Sequence, residues 1–227
     1  MNTQYNYQVE SKKKMGSAYS FIFTPTAKEK ITEFIPGQHI MLALYDNEGK
    51  ILGQKPFTIC NTPNKFGKIE LCIKIYQGFT KRIEELQIED KVTISQPFGS
   101  FAFGTDHNPA VFLAAGSGVT PFISILRNLE EKKLSNEITI LYSAKTKEDL
   151  MYYDELSNHF SVFSLTGKTP KNWDSETTRI DLKMIKKYCT PVEKNFYYLC
   201  GPSVFVQSIK DQLLTADIPE NNIFTSS

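Results

Sequence analysis

Ala114-Ala115-Gly116-Ser117-Gly118-Val119-Thr120-Pro121 joins an apolar run to an amphipathic one through two glycines. Ala110 to Ala115 are apolar enough for a strand buried on both faces, and Phe122, Ile125, Leu126 and Leu129 then recur at helical spacing. Glycine carries no Cβ, so the backbone at 116 and 118 can turn tightly and admit a bulky anion. Free N–H groups at the start of the following helix attract a pyrophosphate. The stretch has two glycines where the dinucleotide fingerprint has three, and it lacks the lysine-serine/threonine ending of a P-loop. Alone it also suits an ordinary strand-to-helix turn, with Pro121 serving as a helix initiator.

On either side of this turn the pattern differs. Before about Phe103 the chain reads as short strands, Tyr5 to Val9, Ala18 to Phe23, Ile40 to Tyr45, Phe57 to Cys60, Lys68 to Tyr76 and Lys91 to Ser95. Turn signals at Asp46-Asn47-Glu48-Gly49, Asn61-Thr62-Pro63-Asn64 and Pro97-Phe98-Gly99 separate them, which predicts an antiparallel six-stranded barrel. One helix is expected at Thr80 to Leu86, with Ile83 and Leu86 buried. From Ala110 onward strands alternate with helices, which predicts a parallel-sheet α/β domain. Strands are expected at Val111 to Ala115, Glu137 to Ser143, Phe160 to Leu165, Phe196 to Cys200 and Asn222 to Thr225. Helices are expected at Pro121 to Lys133, Lys147 to His159, Leu182 to Tyr188 and Ser203 to Ala216. The fold class is therefore a barrel domain over 1–104 followed by an α/β domain over 109–227, joined through Gly104 to Asn108. Ligands of open parallel sheets bind outside the carboxyl ends of the strands, here around Gly116, Ser143, Thr166 and Cys200.

Bulk properties narrow the function. With 26 basic and 25 acidic residues the net charge is +1, which gives no global field for nucleic acid or an anionic membrane. Cys60, Cys72, Cys189 and Cys200 form no C-x-x-C pair and are expected as reduced thiols of a cytoplasmic protein. Met1 to Lys14 has no apolar region of a signal peptide, and no run approaches the ~20 apolar residues of a membrane span. His39, His107 and His159 have no ligand partners at metal spacing, so no metal is expected; His39 is placed with the barrel half, the other two on the surface. Lys12, Lys13, Lys14, Lys28 and Lys30 read as a solvated face.

The order of the motifs resembles the ferredoxin–NADP reductase superfamily of flavoenzymes over nearly the whole chain. Lys55-Pro56-Phe57-Thr58 falls where that family has arginine-x-tyrosine-serine. The resemblance implies that Phe57 lies against the isoalloxazine of FAD, that Thr58 hydrogen-bonds near its reactive nitrogen, and that Lys55 meets its phosphate. Lysine is a departure, since it offers a point charge in place of a planar fork. Cys72-Ile73-Lys74 followed by Gly78-Phe79-Thr80 is similar to the family's second flavin motif, a strand leading to a helix start that would face the pyrophosphate. Gly116, Ser117, Gly118, Thr120 and Pro121 resemble the turn that holds the pyridine-nucleotide pyrophosphate. Ser143 and Lys145 correspond to the segment that meets the adenosine ribose, and Cys200-Gly201-Pro202 to the pair flanking the nicotinamide.

The resemblance implies hydride transfer from C4 of NADH or NADPH to N5 of FAD, with Thr58 and Cys200 at the reacting centre. Electrons would then pass to a separate ferredoxin, flavodoxin or small molecule, since no cysteine run suits an iron–sulfur centre. Lys145, with Lys168, suggests a preference for NADPH through the 2′-phosphate. A reductase of free flavin and a non-catalytic flavin-binding subunit are the alternatives. In relatives the chain ends with a glutamate followed two residues later by an aromatic; here Ser226 falls near the glutamate's place.

Overall fold

Period-two alternation in the N-terminal part of the chain becomes six antiparallel strands. In the computed structural model, which describes residues 4–46 and 48–226, these are β1 (Gln4–Met15), β2 (Ala18–Pro25), β3 (His39–Tyr45), β4 (Ile51–Thr58), β5 (Ile69–Lys74) and, after helix α1 (Phe79–Glu85), β6 (Lys91–Ser95). The strand order is β4-β3-β6-β1-β2-β5. An Ile59–Leu71 bridge and a Cys60 N–H donated to the Glu70 carbonyl at 2.8 Å bring the two ends of the sheet together. The result is a barrel around Val9, Phe21, Phe23, Ile40, Leu42 and Ile94, all fully buried. Tyr7 stands in this core with its hydroxyl satisfied, donating to the Gly67 carbonyl at 2.9 Å and accepting the Ile31 N–H at 3.1 Å. Met1–Thr3, Asn47 of the first predicted turn and Ser227 lie outside the described residues.

Two expectations about the barrel need correction. The strand expected at Phe57–Cys60 runs instead from Ile51 to Thr58. Its stretch before Phe57 is exposed apart from half-buried Gly53 and pairs only with β3, and Pro56, which has no N–H to donate, sits on this edge. Lys12 is not part of a solvated face. Its Nζ donates to the carbonyls of Glu84 at 2.5 Å and Leu86 at 3.0 Å, and lies 5.0 Å from the centre of the Tyr19 ring. The last carbonyls of α1 lack intrahelical donors and form the negative end of the helix dipole, so a cation is drawn there. Lys13, Lys14, Lys28 and Lys30 are exposed. Ile83 and Leu86 are buried, as expected.

The second half is a parallel five-stranded sheet in the order β11-β10-β7-β8-β9. It consists of β7 (Ala110–Ala115), α2 (Thr120–Glu131), β8 (Ile138–Ala144), α3 (Tyr153–Leu156), β9 (Ser161–Leu165), α4 (Leu182–Tyr188), β10 (Phe196–Cys200), α5 (Ser203–Thr215) and β11 (Ile223–Thr225). Val111, Leu113, Tyr197 and Leu199 bury one face against Met184 and Ile185 of α4 and Ile209 and Leu213 of α5. On the other face Tyr198 stacks on Phe224, with ring centres 4.7 Å apart. The helix expected over Lys147–His159 is broken into a 3-10 turn at Lys147–Asp149 and the short α3, with Tyr152 between them at φ 58°. Leu150, Met151 and Tyr152 are consecutive and all buried. A continuous helix would turn them to three different faces.

His107 also departs from expectation. Its ring stacks on Phe196 with centres 4.2 Å apart, and its Nδ1 lies 2.6 Å from the Tyr198 hydroxyl. His159 is half-buried, with Nε2 3.2 Å from a Glu130 carboxylate oxygen. The chain divides into two compact units. One ends at Ala102 and takes in Thr120–Asn128; the other comprises Phe103–Val119 and the chain from Leu129 onward.

Candidate nucleotide-binding sites

In the barrel unit, β4 and β5 with the start of α1 hold the residues expected at a flavin. Lys55 is exposed and pairs across β3 with Leu42; Pro56 pairs with Met41, Phe57 with Ile40 and Thr58 with His39. Phe57 is half-buried and packs in part against the barrel core, leaving the rest of its ring open. Cys72 and Ile73 are buried in β5, where inward Ile69, Leu71 and Ile73 alternate with Glu70, Cys72 and Lys74. Gly78 precedes α1 at φ 75°, and a Cβ there would meet nothing within 4 Å. No side chain caps α1. Thr80 is buried and serves the preceding loop instead: its hydroxyl accepts the Tyr76 N–H at 2.8 Å and donates to the Tyr76 carbonyl at 3.2 Å. This places the opening amides of α1 beside open space, a donor set that suits a pyrophosphate. Phe79 explains a glycine on β4, because a Cβ at Gly53 would come within 2.6 Å of its ring.

His39 joins this set through strand register rather than through any motif. It lies opposite Thr58, bridges to Phe98 with ring centres 4.0 Å apart, and is held below the usual imidazole range by burial. Only the β3–β4 pairing reveals it.

In the second unit, the expected residues gather at the carboxyl ends of the parallel strands. β7 passes into a 3-10 turn at Gly116–Val119, which leads into α2 at Thr120 and Pro121. Gly116 has φ 56° and open space where a Cβ would stand, so the left-handed conformation belongs here. Gly118 is a glycine for another reason. A Cβ at 118 would lie 2.1 Å from the Cys200 carbonyl oxygen and 2.5 Å from the Gly201 nitrogen. Its lack of a side chain lets two backbone turns pack together, and its φ is not in the left-handed region.

Ser143 is buried and pairs with Ala115 across β7–β8; Lys145, just beyond β8, is exposed. Gly167 lies against it, so close that a Cβ would stand 2.7 Å from the Lys145 carbonyl oxygen. Cys200 ends β10 beside Ala114, and Gly201 and Pro202 open α5. Burial pushes the Cys200 thiol up to about 11, against the opposing effect of a hydrogen bond with the Ser226 side chain. The parallel β10–β11 pairing continues past Thr225, with the Ser226 N–H donating to the Leu199 carbonyl at 3.0 Å, and so brings Ser226 to the thiol. The other three cysteines are buried, and none of the four is in a disulfide. Among the described residues no group of three or more His, Cys, Asp or Glu side chains could hold a metal ion, and no helix is long and apolar enough to cross a membrane.

Comparison with known proteins matches residues 7–103 to an oxidoreductase FAD-binding domain and residues 112–211 to an oxidoreductase NAD-binding domain. The reductase component of propane 2-monooxygenase from Mycolicibacterium smegmatis is 26% identical over 209 residues, which is 86% of this chain and 59% of that protein. NADH-cytochrome b5 reductase 1 of Dictyostelium discoideum is 24% identical over 200 residues, 83% of this chain and 69% of that one. The FAD/NAD-binding domain of nitric oxide dioxygenase from Vibrio cholerae shares the fold with a TM-score of 0.87 at 19% identity, covering 100% of this chain and 98% of that structure. The chain thus spans about three fifths of the monooxygenase component it matches.

Proposed function

We propose that this chain, which belongs to the ferredoxin–NADP reductase superfamily of flavoenzymes, passes reducing equivalents from NAD(P)H through FAD to a separate electron acceptor. The observation that carries the proposal is the presence in one chain of an FAD-binding and an NAD-binding domain match in tandem. When bound, the two cofactors supply the hydride and electron chemistry, and the protein supplies binding, orientation and polarity. The residues fit both groups: open space flanks the turns at Gly78 and Gly116, where a Cβ would meet nothing.

In this reading the amides opening α1 hold the flavin pyrophosphate and Lys55 adds a positive charge. The open part of the Phe57 ring offers a flat apolar surface, and the Thr58 hydroxyl a hydrogen bond. The Gly116–Val119 turn holds the coenzyme pyrophosphate, with Ser143 and Lys145 toward its adenosine end. Cys200 keeps its proton on Sγ up to about pH 11, so beside a nicotinamide it is an uncharged surface and not a nucleophile. For the acceptor, a reductase component and a cytochrome b5 reductase among the relatives support a protein carrier. A ferredoxin or flavodoxin is proposed, with a small molecule as the other acceptor class. The exposed Lys55 in the place of an arginine favours a second reading, in which flavin is a released substrate.

Purification after reconstitution with excess FAD, followed by anaerobic titration with NADH and with NADPH, tests the proposal. Retained flavin absorbance that one coenzyme bleaches is the expected result. Flavin lost on gel filtration but turned over in solution would favour the second reading, and no flavin binding at all would refute both.

A further inference from the structure

We infer that two barrel loops meeting at Gly67 form the docking surface for an acidic protein carrier, with Phe66 as its apolar anchor and Lys28, Lys30 and Lys65 as its cations. The first loop leaves β2 and carries Lys28 and Lys30; the second runs from Asn61 toward β5 and carries Lys65 and Phe66. The Lys30 stem lies over Gly67, where a Cβ would come within 2.9 Å of it. Tyr7 fastens both loops from beneath, through the Gly67 carbonyl and the Ile31 N–H. The second loop is also tied within itself, since the Asn64 side chain accepts the Lys68 N–H at 3.0 Å and donates to the Lys68 carbonyl at 2.9 Å. A surface fixed in this way gives up little conformational freedom when a partner docks.

Phe66 is 60% exposed, and the Lys65 Nζ lies 5.2 Å from the centre of its ring. Among the described residues Lys28, Lys30 and Lys65 enter no ion pair, whereas Lys68, at the end of the same loop, is paired with Glu10 at 2.5 Å. Glu29 is the carboxylate between Lys28 and Lys30, so the patch keeps an excess of positive charge in a chain whose net charge is only +1. An exposed aromatic among unpaired cations fits a partner with an apolar spot inside an acidic rim: the ring supplies contact area and the charges steer the approach. The second loop starts three residues after Thr58 and ends four before Cys72, at most about 11 and 14 Å of chain from residues proposed to meet flavin. A carrier of about 100 residues, with a radius of gyration of about 13 Å, covers that span when seated on the loop. This inference rests on the proposed function and names the surface that its acceptor meets.

The test follows electrons from the FAD-loaded, coenzyme-reduced protein to an acidic iron–sulfur ferredoxin, to an acidic flavodoxin and to menadione, a small neutral acceptor. It compares the unmodified protein with Phe66→Ala and with the double variant Lys30→Glu, Lys65→Glu. Phe66→Ala should raise the KM for at least one carrier about ten-fold. The double variant should lower kcat/KM for that carrier about ten-fold or more at low salt and much less at high salt, where the charges are screened. Flavin reduction by coenzyme and turnover of menadione should stay unchanged, a split that mere loss of stability would not produce. Carrier kinetics equal to those of the unmodified protein, or carrier and menadione rates that fall together, would overturn the inference and leave the proposed function standing. So would a protein that reduces menadione but neither carrier. An unmodified protein that holds FAD yet is reduced by neither coenzyme overturns both.

Discussion

Gly118 and Cys200 are one structural feature seen from two sides. The backbone of the turn after β7 approaches the end of β10 so closely that any side chain at 118 would collide with the Cys200 carbonyl. Gly118→Ala should therefore push Gly201 and Pro202 away from Gly116, lowering the melting temperature and slowing reduction by NAD(P)H while flavin stays bound. Reduction at the unmodified rate would show that the approach does not matter to the coenzyme. The thiol makes a separate prediction. Its raised value means that the folded protein holds the Cys200 proton more tightly than the unfolded chain does. The associated stability is present below the ordinary thiol value and is lost as pH rises through about 11. Alkylation of the Cys200 peptide by iodoacetamide should accordingly inflect near pH 11, whereas an inflection at the ordinary thiol value would show the group to be well solvated. At Lys145 the expected readout is coenzyme choice. Lys145→Ala should raise the KM for NADPH alone if its ammonium reads a 2′-phosphate, and equal effects on both coenzymes would remove it from that role.

At the level of elements, α1 is fixed at its far end so that its near end can stay open. Lys12 saturates the carbonyls of Glu84 and Leu86, and no side chain occupies the opening turn. Losing a charged donor to buried carbonyls typically costs about 1.5–3 kcal/mol, and partial exposure places Lys12→Met at the lower end of that range. Urea unfolding of Lys12→Met and of Lys13→Met measures this, with little change expected for exposed Lys13. Equal midpoints would mean that the Lys12 bonds are not held in solution. The same elements show what the sequence could reveal. Lys91–Ser95, Leu182–Tyr188 and Phe196–Cys200 were legible to the residue because apolar period and turn signals agree there. The part of β4 before Phe57 was hidden by Gly53, Gln54, Lys55 and Pro56, which an edge strand tolerates. The break at Tyr152 was hidden because Lys147–His159 has helical composition, while three consecutive apolar residues demand burial that one helix face cannot give.

At the scale of the whole molecule, the order of the glycine turns and aromatic motifs was legible along the chain, because each motif is local. What pairing alone decides was not: His39 opposite Thr58, Ser226 at Cys200, and Gly118 against a carbonyl. Nor did the sequence show which unit α2 belongs to. Spacing at Phe122, Ile125, Leu126 and Leu129 marks a buried face but does not say against what. The composition change near Gly104 suggests a cut there, yet the compact barrel unit takes in Thr120–Asn128, with the Phe122 ring 5.9 Å from that of Phe101. A fragment ending at residue 104 would lose this aromatic contact, the Ser124 bond to Asn61 and the Arg127 pair with Glu70. Losing a charge-assisted bond and a buried aromatic contact together should cost several kcal/mol, at about 1.5–3 and 0.5–1.5 each. That fragment should thus melt well below the intact chain and bind FAD at least about ten-fold more weakly, although it contains every residue assigned to the flavin. Calorimetry and fluorescence quenching of FAD on both proteins decide the matter. A fragment that matched the intact chain in both would show that α2 adds nothing to the barrel, and would place the functional boundary where the composition changes.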